Sequence, residues 1–163
     1  MDIVIGIGEY AISNSSVDVL KTFSLASCVA VSFYCATKKI AGMIHIALPS
    51  HNEDREIPKK PAYYASLGLP IIIEKLTQEY GCLKSELTAQ LFGGASSINR
   101  NDYFKIGIQN IKAIQNILSE LNITVSASEV GGFISRSIAM EVSSGNISIS
   151  TQPIKIWGGK INV

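Results

Sequence analysis

Hydrophobic and polar positions alternate along the first third of the chain in a pattern that predicts β-strands. Isoleucine recurs at every second position of the opening DIVIGIG, and VDVLKTF alternates in the same way after the turn-forming residues 11–16. The run CVAVSFYCA, residues 28–36, is β-branched or aromatic on both faces, which is typical of a strand covered on both sides. A turn over residues 36–39 and the apolar run IAGMIHIAL then predict a returning strand, so these two strands form a hairpin.

The middle of the chain predicts two helices. Residues 50–61 are charged and are bracketed by prolines, which indicates an exposed loop. A first helix follows, with Gly81 as its stop and Pro70 marking a kink or a second start. Its apolar face is expected at Leu67, Ile71 or Ile72, Leu76 and Tyr80. The stretch IGIQNIKAIQNILSELN is the clearest amphipathic helix, with apolar residues at Ile108, Ile111, Ile114, Ile117, Leu118 and Leu121.

Alternation returns in the remaining segments, which predict further strands. ELTAQLFGG leads into a Gly-Gly turn, and ITVSASEVGG, SIAMEVSS and NISISTQPIKIW close the chain, the last two joined by a hairpin turn at residues 144–146. The order of elements predicts a single α+β domain over residues 1–163, rich in strands at both ends with two helices between them. A second core is not expected in 163 residues.

Composition excludes several classes of protein. Hydrophobic residues make up 47% of the chain and charged residues 17%, so it can bury a large core, and its net charge of +1 argues against a nucleic-acid partner. No signal peptide is recognisable, and no apolar run is long enough for membrane insertion. Cys28, Cys35 and Cys82 lack the spacing of a disulfide framework or a zinc site. We therefore expect a cytoplasmic protein without a metal or cofactor.

Cys28 and His45 lie within the apolar hairpin, and two interpretations of them remain open. They are either buried core residues, as Cys35 and Cys82 are expected to be, or they form a thiol active site. Cys28 follows the small residues of SLAS at a strand edge, where a substrate can reach a thiol, and His45 lies across the hairpin. The register of the hairpin decides whether the two side chains can meet. If facing residues have numbers with an odd sum, Cys28 and His45 share a face, and with an even sum they do not.

A cysteine beside a histidine makes chemical sense as a nucleophile. A thiol is mostly protonated at neutral pH, and an adjacent imidazole can take its proton to form the reactive thiolate. The imidazole needs a partner that orients its other ring nitrogen, and no Asp or Glu stands near either residue in the sequence. Thr22, on the preceding strand, offers a hydroxyl that could accept a hydrogen bond from the ring. His51, in the charged loop, is interpreted as a solvated residue.

Several segments together resemble a known family. The run LASCVAV after Thr22, followed by GMIHIALP, is similar to the chemoreceptor glutamine deamidases, the CheD family of bacterial and archaeal chemotaxis. IGIGEY, AYYASLGLPIIIEKL, LFGGAS, IGIQNI and EVGG with SRS resemble its other blocks in the same order, over nearly the whole chain. The resemblance implies a catalytic set of Cys28, His45 and Thr22. It also implies mixed β-sheets packed as a sandwich with flanking helices, as in the catalytic domain of cytotoxic necrotizing factor toxins.

The resemblance further implies a reaction and its partners. The expected substrate is a glutamine on the cytoplasmic helices of a methyl-accepting chemoreceptor, which is hydrolysed to glutamate, with methyl-ester hydrolysis as a side activity. A chemotaxis phosphatase of the CheC type is an expected partner. Two alternatives are a regulatory binding partner of that phosphatase with little catalytic role, and a small-molecule thiol amidase. Two positions depart from the family pattern, Ala26 where glycine is usual and Gln109 where arginine is frequent.

A tetrahedral oxyanion would need nearby hydrogen-bond donors. The candidates are the backbone N–H groups around Ser27 and Cys28, and on the substrate side Gly93 and Gly94. The simpler interpretation of Gly93-Gly94 and Gly131-Gly132 is a pair of turns that need positive φ. Glu129 and Arg136 are interpreted as an ion pair on the surface.

Overall fold

A computed structural model describes residues 1–97, 105–154, 156–157 and 160–161. Eleven strands are found in this part of the chain: β1 (Asp2–Val4), β2 (Tyr10–Ser13), β3 (Val19–Leu25), β4 (Val29–Cys35), β5 (Ile40–Ile46), β6 (Leu87–Gly93), β7 (Thr124–Val130), β8 (Ile134–Glu141), β9 (Ile147–Pro153), β10 (Ile156–Trp157) and β11 (Lys160–Ile161). The helices are α1 (Ala65–Glu74), which a π-helical turn over Lys75–Glu79 extends, and α2 (Ile106–Glu120). Short 3-10 turns occupy Pro61–Tyr63 and Lys84–Glu86.

The strands form two larger sheets. One sheet has four strands in the order β1-β3-β8-β9, and the other has five in the order β2-β5-β4-β6-β7. Both are mixed, because β1 pairs with β3 and β6 pairs with β7 in parallel, whereas the other neighbours are antiparallel. Strands β10 and β11 pair only with each other. The predicted α+β class, with packed mixed sheets and flanking helices, is confirmed.

The five-stranded sheet is covered on both faces, as the apolar run of β4 predicts. Val29, Val31 and Phe33 belong to a core cluster with the buried faces of α1 and α2. Ala30, between them, belongs to a second cluster with residues of the four-stranded sheet such as Leu20. Because successive side chains of a strand point to opposite faces, the odd-numbered residues of β4 face the helices and the even-numbered ones face the other sheet.

Strands β4 and β5 form the predicted hairpin with an odd register. Ala30 faces His45, and Val29 faces Ile46. Cys28 lies two positions before Ala30, so Cys28 and His45 project from the same face of the sheet, toward the four-stranded sheet. The register therefore satisfies the condition that the sequence left open.

Two predicted elements near the N-terminus differ in the structure. The opening strand ends at Val4, because a turn follows in which the N–H of Glu9 bonds to the carbonyl of Gly6 at 3.1 Å and Gly8 has a φ of 75°. Residues 11–13 belong to the predicted turn, which spans residues 11–16, but they lie in β2 (Tyr10–Ser13), because they complete the edge of the five-stranded sheet beside β5. Tertiary pairing outweighs local turn propensity here.

The helices also differ from prediction in detail. Pro70 lies inside α1 without a second start, at an exposed position where one lost backbone bond is tolerated. Ile72 and Leu76 are buried as predicted, and Leu69 and Ile73 are buried as well, whereas Leu67 is only half-buried. In α2, Ile114 and Leu118 are buried as predicted, whereas Ile108 is 45% exposed.

In the structure, the strand predicted over NISISTQPIKIW covers only part of that segment, as β9. It ends at Pro153, and Lys155 lies outside the described residues. The loop 50–61 is largely exposed, as predicted. None of the helices in the described ranges is long and apolar enough to cross a membrane.

Candidate active site

Thr22 contacts His45 between the two sheets, and Cys28 lies on the same sheet face as His45. Thr22 lies on β3 of the four-stranded sheet and is fully buried. His45, on β5 of the facing sheet, is only 2% exposed. Cys28, in the short connection between β3 and β4, is partly exposed. The site therefore combines a partly exposed cysteine with a buried histidine.

The hydroxyl of Thr22 determines the tautomer of His45. This hydroxyl donates its hydrogen to the carbonyl of Ile5 at 2.7 Å. Its oxygen also lies 2.8 Å from Nδ1 of His45. A hydroxyl has a single hydrogen, so the hydrogen in the second contact must come from the ring. Nδ1 of His45 therefore carries the proton, and Nε2, which faces away from Thr22, holds the free lone pair.

The opening segment IGIGEY holds the backbone of His45. The N–H of Gly8 donates to the carbonyl of His45 at 2.9 Å, and the N–H of His45 donates to the carbonyl of Glu9 at 3.0 Å. Gly8 has positive φ, and a Cβ there would lie 3.0 Å from the ring of Tyr63, so glycine suits this position. Together with the carbonyl of Ile5, this segment fixes both His45 and Thr22, a role that alternation alone did not reveal.

The Nε2 atom of His45 is buried and has no hydrogen-bond partner in the described part of the chain. An unpaired buried acceptor costs about 1–3 kcal/mol, so such an atom needs an explanation. Cys28 projects from the same sheet face but is not hydrogen-bonded to this nitrogen. Catalytic hydrogen bonds are often long in unliganded enzymes and shorten when substrate binds.

Burial keeps both reactive groups uncharged at rest. Burial lowers the pKa of His45 to about 4, and the carboxylate of Glu9 opposes this shift only in part. Burial also raises the pKa of the Cys28 thiol, an effect that the residue's own backbone N–H partly offsets. At neutral pH the pair is therefore a thiol beside a neutral imidazole, and not a thiolate–imidazolium ion pair.

The shifted pKa of His45 predicts a specific loss of stability in acid. The unfolded chain has an ordinary histidine pKa near 6.5, so between pH 6.5 and about 4 the unfolded state binds the proton more tightly. This contribution to stability is present above pH 6.5 and is lost as the pH falls toward 4. We expect the free energy of unfolding, measured in urea, to fall by about 2–3 kcal/mol between pH 7.5 and 4.5 because of His45.

The variant His45→Gln provides the control for this measurement, because glutamine does not titrate. Carboxylates contribute to acid sensitivity in both proteins, so the difference between their pH dependences isolates His45. Equal slopes for the two proteins would contradict the lowered pKa.

Residues 26–28 are held in place through their carbonyl groups. The carbonyl of Ala26 accepts from the N–H of Ala95 at 2.7 Å, and that of Cys28 accepts from the N–H of Gly94 at 2.8 Å. No backbone carbonyl among the described residues accepts from the N–H of Ser27 or Cys28. The N–H of Gly94 is occupied in supporting the segment, whereas no such bond holds the N–H groups of Ser27 and Cys28.

The glycine pairs have the positive φ angles that the turn interpretation predicts, from 65° at Gly94 to 107° at Gly93. Gly93 is also required by close packing, because a Cβ there would lie 2.3 Å from the carbonyl oxygen of Cys28. The interpretation of Arg136 as a surface residue is wrong. It is 5% exposed, although its partner Glu129, 3.7 Å from its Nε, is on the surface.

The two departures from the family pattern leave the site intact. Ala26 is buried with a negative φ that any residue can adopt, so its methyl group introduces no backbone strain. Gln109 is exposed on α2, away from the buried face of the helix. Within the described residues, no three His, Cys, Asp or Glu side chains are grouped so that they could bind a metal.

Comparison with known proteins identifies the family. A family model described as CheD, chemotactic sensory transduction, matches residues 47–151. A protein of Syntrophotalea carbinolica, described as a probable chemoreceptor glutamine deamidase CheD, is 37% identical over 91% of this chain and 93% of its own length. The chain belongs to the CheD family. A CheD protein of Desulforamulus reducens with the same description is 35% identical over 95% of both chains. The match of the family model begins after His45, and the relatives that match over the whole length extend the likeness to the N-terminal third of the chain.

Solved structures support the fold alone. A hypothetical protein of Bacillus licheniformis, YfiH, aligns with a TM-score of 0.50 at 11% identity, over 74% of this chain and 49% of its own. The CheD chain thus corresponds to about half of that protein.

Proposed function

We propose that this CheD protein hydrolyses the side-chain amide of specific glutamines in chemoreceptors, giving glutamate. One observation carries the proposal: the Thr22 contact leaves the lone pair of His45 on Nε2, unpartnered and buried, on the same sheet face as the Cys28 thiol. The descriptions of the CheD relatives support the choice of substrate.

In the first step, Cys28 attacks the carbon of the glutamine amide. Because the thiol is protonated at rest, Nε2 of His45 accepts its proton as the new S–C bond forms. The amide oxygen becomes an oxyanion, and the backbone N–H groups of Ser27 and Cys28 are the donors proposed to stabilise it. One such donor typically contributes about 3 kcal/mol to a transition state of this kind.

The second step releases ammonia and restores the enzyme. His45 returns the proton from Nε2 to the departing nitrogen, which leaves a thioester between Cys28 and the substrate. Nε2 then accepts a proton from water, whose oxygen attacks the thioester carbon. The C–S bond breaks, the thiol regains its proton and glutamate leaves. A glutamate methyl ester would enter the same cycle with methanol as the leaving group.

The proposed substrate is presented by the cytoplasmic helices of a receptor, which places the reaction in the cytoplasm. A phosphatase of the CheC type remains a proposed partner. Lys60 and the exposed loop 50–61 lie close to the site, because Lys60 pairs with Glu9 at 3.3 Å. This loop is therefore positioned beside the segment that holds His45.

The direct test is to incubate the purified protein with a purified cytoplasmic fragment of a receptor from the same organism. Mass spectrometry of its peptides should show conversion of glutamine to glutamate, with an equal amount of ammonia released. Binding to the fragment without conversion would support the regulatory alternative instead. Hydrolysis of free glutamine or small amides at a comparable kcat/KM would support the small-molecule amidase.

Thr22 offers a separate test of the proposed geometry. Thr22→Val keeps the shape of the side chain but removes the hydroxyl, so the tautomer of His45 is no longer fixed. We expect kcat to fall by about ten- to a hundredfold, because the base is then held in the wrong orientation for part of the time. Thr22→Ser, which keeps the hydroxyl, should retain part of the activity.

Nitrogen NMR of His45 provides the structural control for Thr22. Wild type should have a proton on Nδ1 and none on Nε2, and Thr22→Val should show a mixture. If Thr22→Val kept both the single tautomer and the full rate, the orienting role would be excluded.

A further inference from the structure

Asn110 is a polar residue in the middle of the buried face of α2. Its side chain is fully buried. Nδ2 donates to the carbonyl of Ser27 at 3.0 Å and to the carbonyl of Ala47 at 3.0 Å. An amide nitrogen has two hydrogens, so both are used by these carbonyls. Oδ1 is buried without a partner in the described residues.

These two carbonyls flank the reactive side chains. Ser27 directly precedes Cys28, and Ala47 follows His45 by two residues, just beyond the end of β5. One side chain from a distant part of the sequence therefore bridges the segment that carries the nucleophile and the strand that carries the base. A buried polar group on an apolar helix face is costly unless it is hydrogen-bonded, and here both bonds go to the site.

Asn110 also completes the support of residues 26–28. The carbonyls of Ala26 and Cys28 are held by backbone N–H groups, which almost any sequence could provide. The carbonyl between them, that of Ser27, is held by the Asn110 side chain. This is the attachment that depends on the identity of a side chain.

Close packing holds α2 at the distance that lets Asn110 reach both carbonyls. A Cβ at Gly107 would lie 2.4 Å from the carbonyl oxygen of Ala95 and 2.5 Å from that of Gly94. The first turn of α2 thus lies directly on the backbone that holds Ala26 and Cys28. The helix and the site form one packed unit.

We propose that Asn110 is a positioning residue for the reaction, which keeps the Cys28 segment and the His45 strand in the relative placement that proton transfer requires. This inference rests on the proposed function, and it assigns to α2 a direct part in the geometry of the site. Asn110 acts through the backbone and does not need to touch the substrate.

The test compares Asn110→Asp with two controls on the same helix. Asp has nearly the same shape but, when ionised, donates no hydrogen bond. Asn116→Asp makes the same change at an exposed position, and Ile114→Ala destabilises the buried face without removing a bond to the site. We expect kcat of Asn110→Asp to fall by about ten- to a hundredfold with KM changed by less than about twofold, whereas both controls keep the kcat of wild type.

The pH profile separates positioning from simple loss of stability. A protonated Asp donates one hydrogen bond, so the activity of Asn110→Asp should rise as the pH falls from about 8 to 5.5, where wild type stays nearly constant. The activity of Asn110→Ala should stay low at every pH, because alanine cannot regain a donor. This variant replaces Asn110→Asp in the comparison if the Asp variant does not fold. A flat profile for Asn110→Asp, or a kcat loss no larger than that of Ile114→Ala, would overturn the proposal.

A measurement without substrate keeps this test independent of the proposed reaction. Alkylation of Cys28 by iodoacetamide, followed by peptide mass spectrometry between about pH 6 and 10, reports how the thiol ionises. In Asn110→Ala, release of residues 26–28 should expose the thiol of Cys28. The pH midpoint of its alkylation should then fall by about half a unit or more, whereas Asn116→Asp should keep the midpoint of wild type. An unchanged midpoint would overturn the positioning role. If Asn110→Ala shows this shift but the wild-type protein fails to convert receptor glutamines, the proposed function alone would be refuted.

Discussion

Replacing Cys28 by alanine should abolish conversion of receptor glutamine, with a fall in rate of at least about 10⁴-fold. The reason is that the proposed path runs through a covalent thioester, and no other described group near His45 can form one. Cys28 is the partly exposed cysteine, whereas Cys35 is fully buried and Cys82 is 2% exposed. Mass spectrometry of receptor peptides and ammonia release measure the loss directly.

The matched controls are Cys35→Ala and Cys82→Ala. Both remove a sulfur from the core between the five-stranded sheet and the helices, so they lower stability but leave the site unchanged. They should retain the wild-type kcat when assayed well below the melting temperature. Full activity in Cys28→Ala, or its loss in either control while that control is folded, would exclude the assignment of the nucleophile.

Replacing His45 by alanine should lower kcat by about a thousandfold, because one residue provides both the base and the acid of the cycle. The loss should exceed that of Thr22→Val, which leaves the ring in place. Because the ring of His45 is buried, its removal leaves a cavity, and added imidazole should restore part of the rate. An effect smaller than that of Thr22→Val would show that Thr22 does more than orient the ring.

The pH profile of the wild-type enzyme provides a second measurement of the same group. A base is active only when unprotonated, and an ordinary histidine with a pKa near 6.5 would lose about tenfold in rate by pH 5.5. Burial lowers the pKa of His45 to about 4, so kcat should remain nearly constant down to pH 5.5. A tenfold fall over this interval would show that the imidazole is solvated during the reaction.

Much of the fold follows from local pattern. The hairpin of β4 and β5 was predictable because a run that is apolar on both faces has one stable location, inside a sheet covered on both sides. Strand β2 was missed, because its residues run directly into the turn-forming residues 14–16 and only pairing with β5 shows where the strand lies. The buried face of α1 was only partly predictable. That helix is apolar nearly all round, so Ile72 and Leu76 are buried as predicted, whereas packing buries Leu69 more completely than Leu67.

The candidate site shows the same division. Its three residues were named from the residue types and from the family resemblance. Whether Cys28 and His45 share a face depended on the register of the hairpin, and the turn allowed either an odd or an even one. The support of the site was less visible. Neither the hydrogen bond from Thr22 to the carbonyl of Ile5 nor the bridge made by Asn110 leaves a periodic signal, because each joins residues far apart in the chain.

By itself, the sequence determined the class of fold, the hairpin, the amphipathic helix α2 and the chemical types available for catalysis. These depend on the spacing of apolar residues along a single element and on which side chains are present. Only the tertiary structure decided which faces meet and which ring nitrogen of His45 carries the proton. It also decided that the pKa of Cys28 is raised and that of His45 is lowered. Those properties arise from burial and from contacts between distant segments, and no local pattern encodes them.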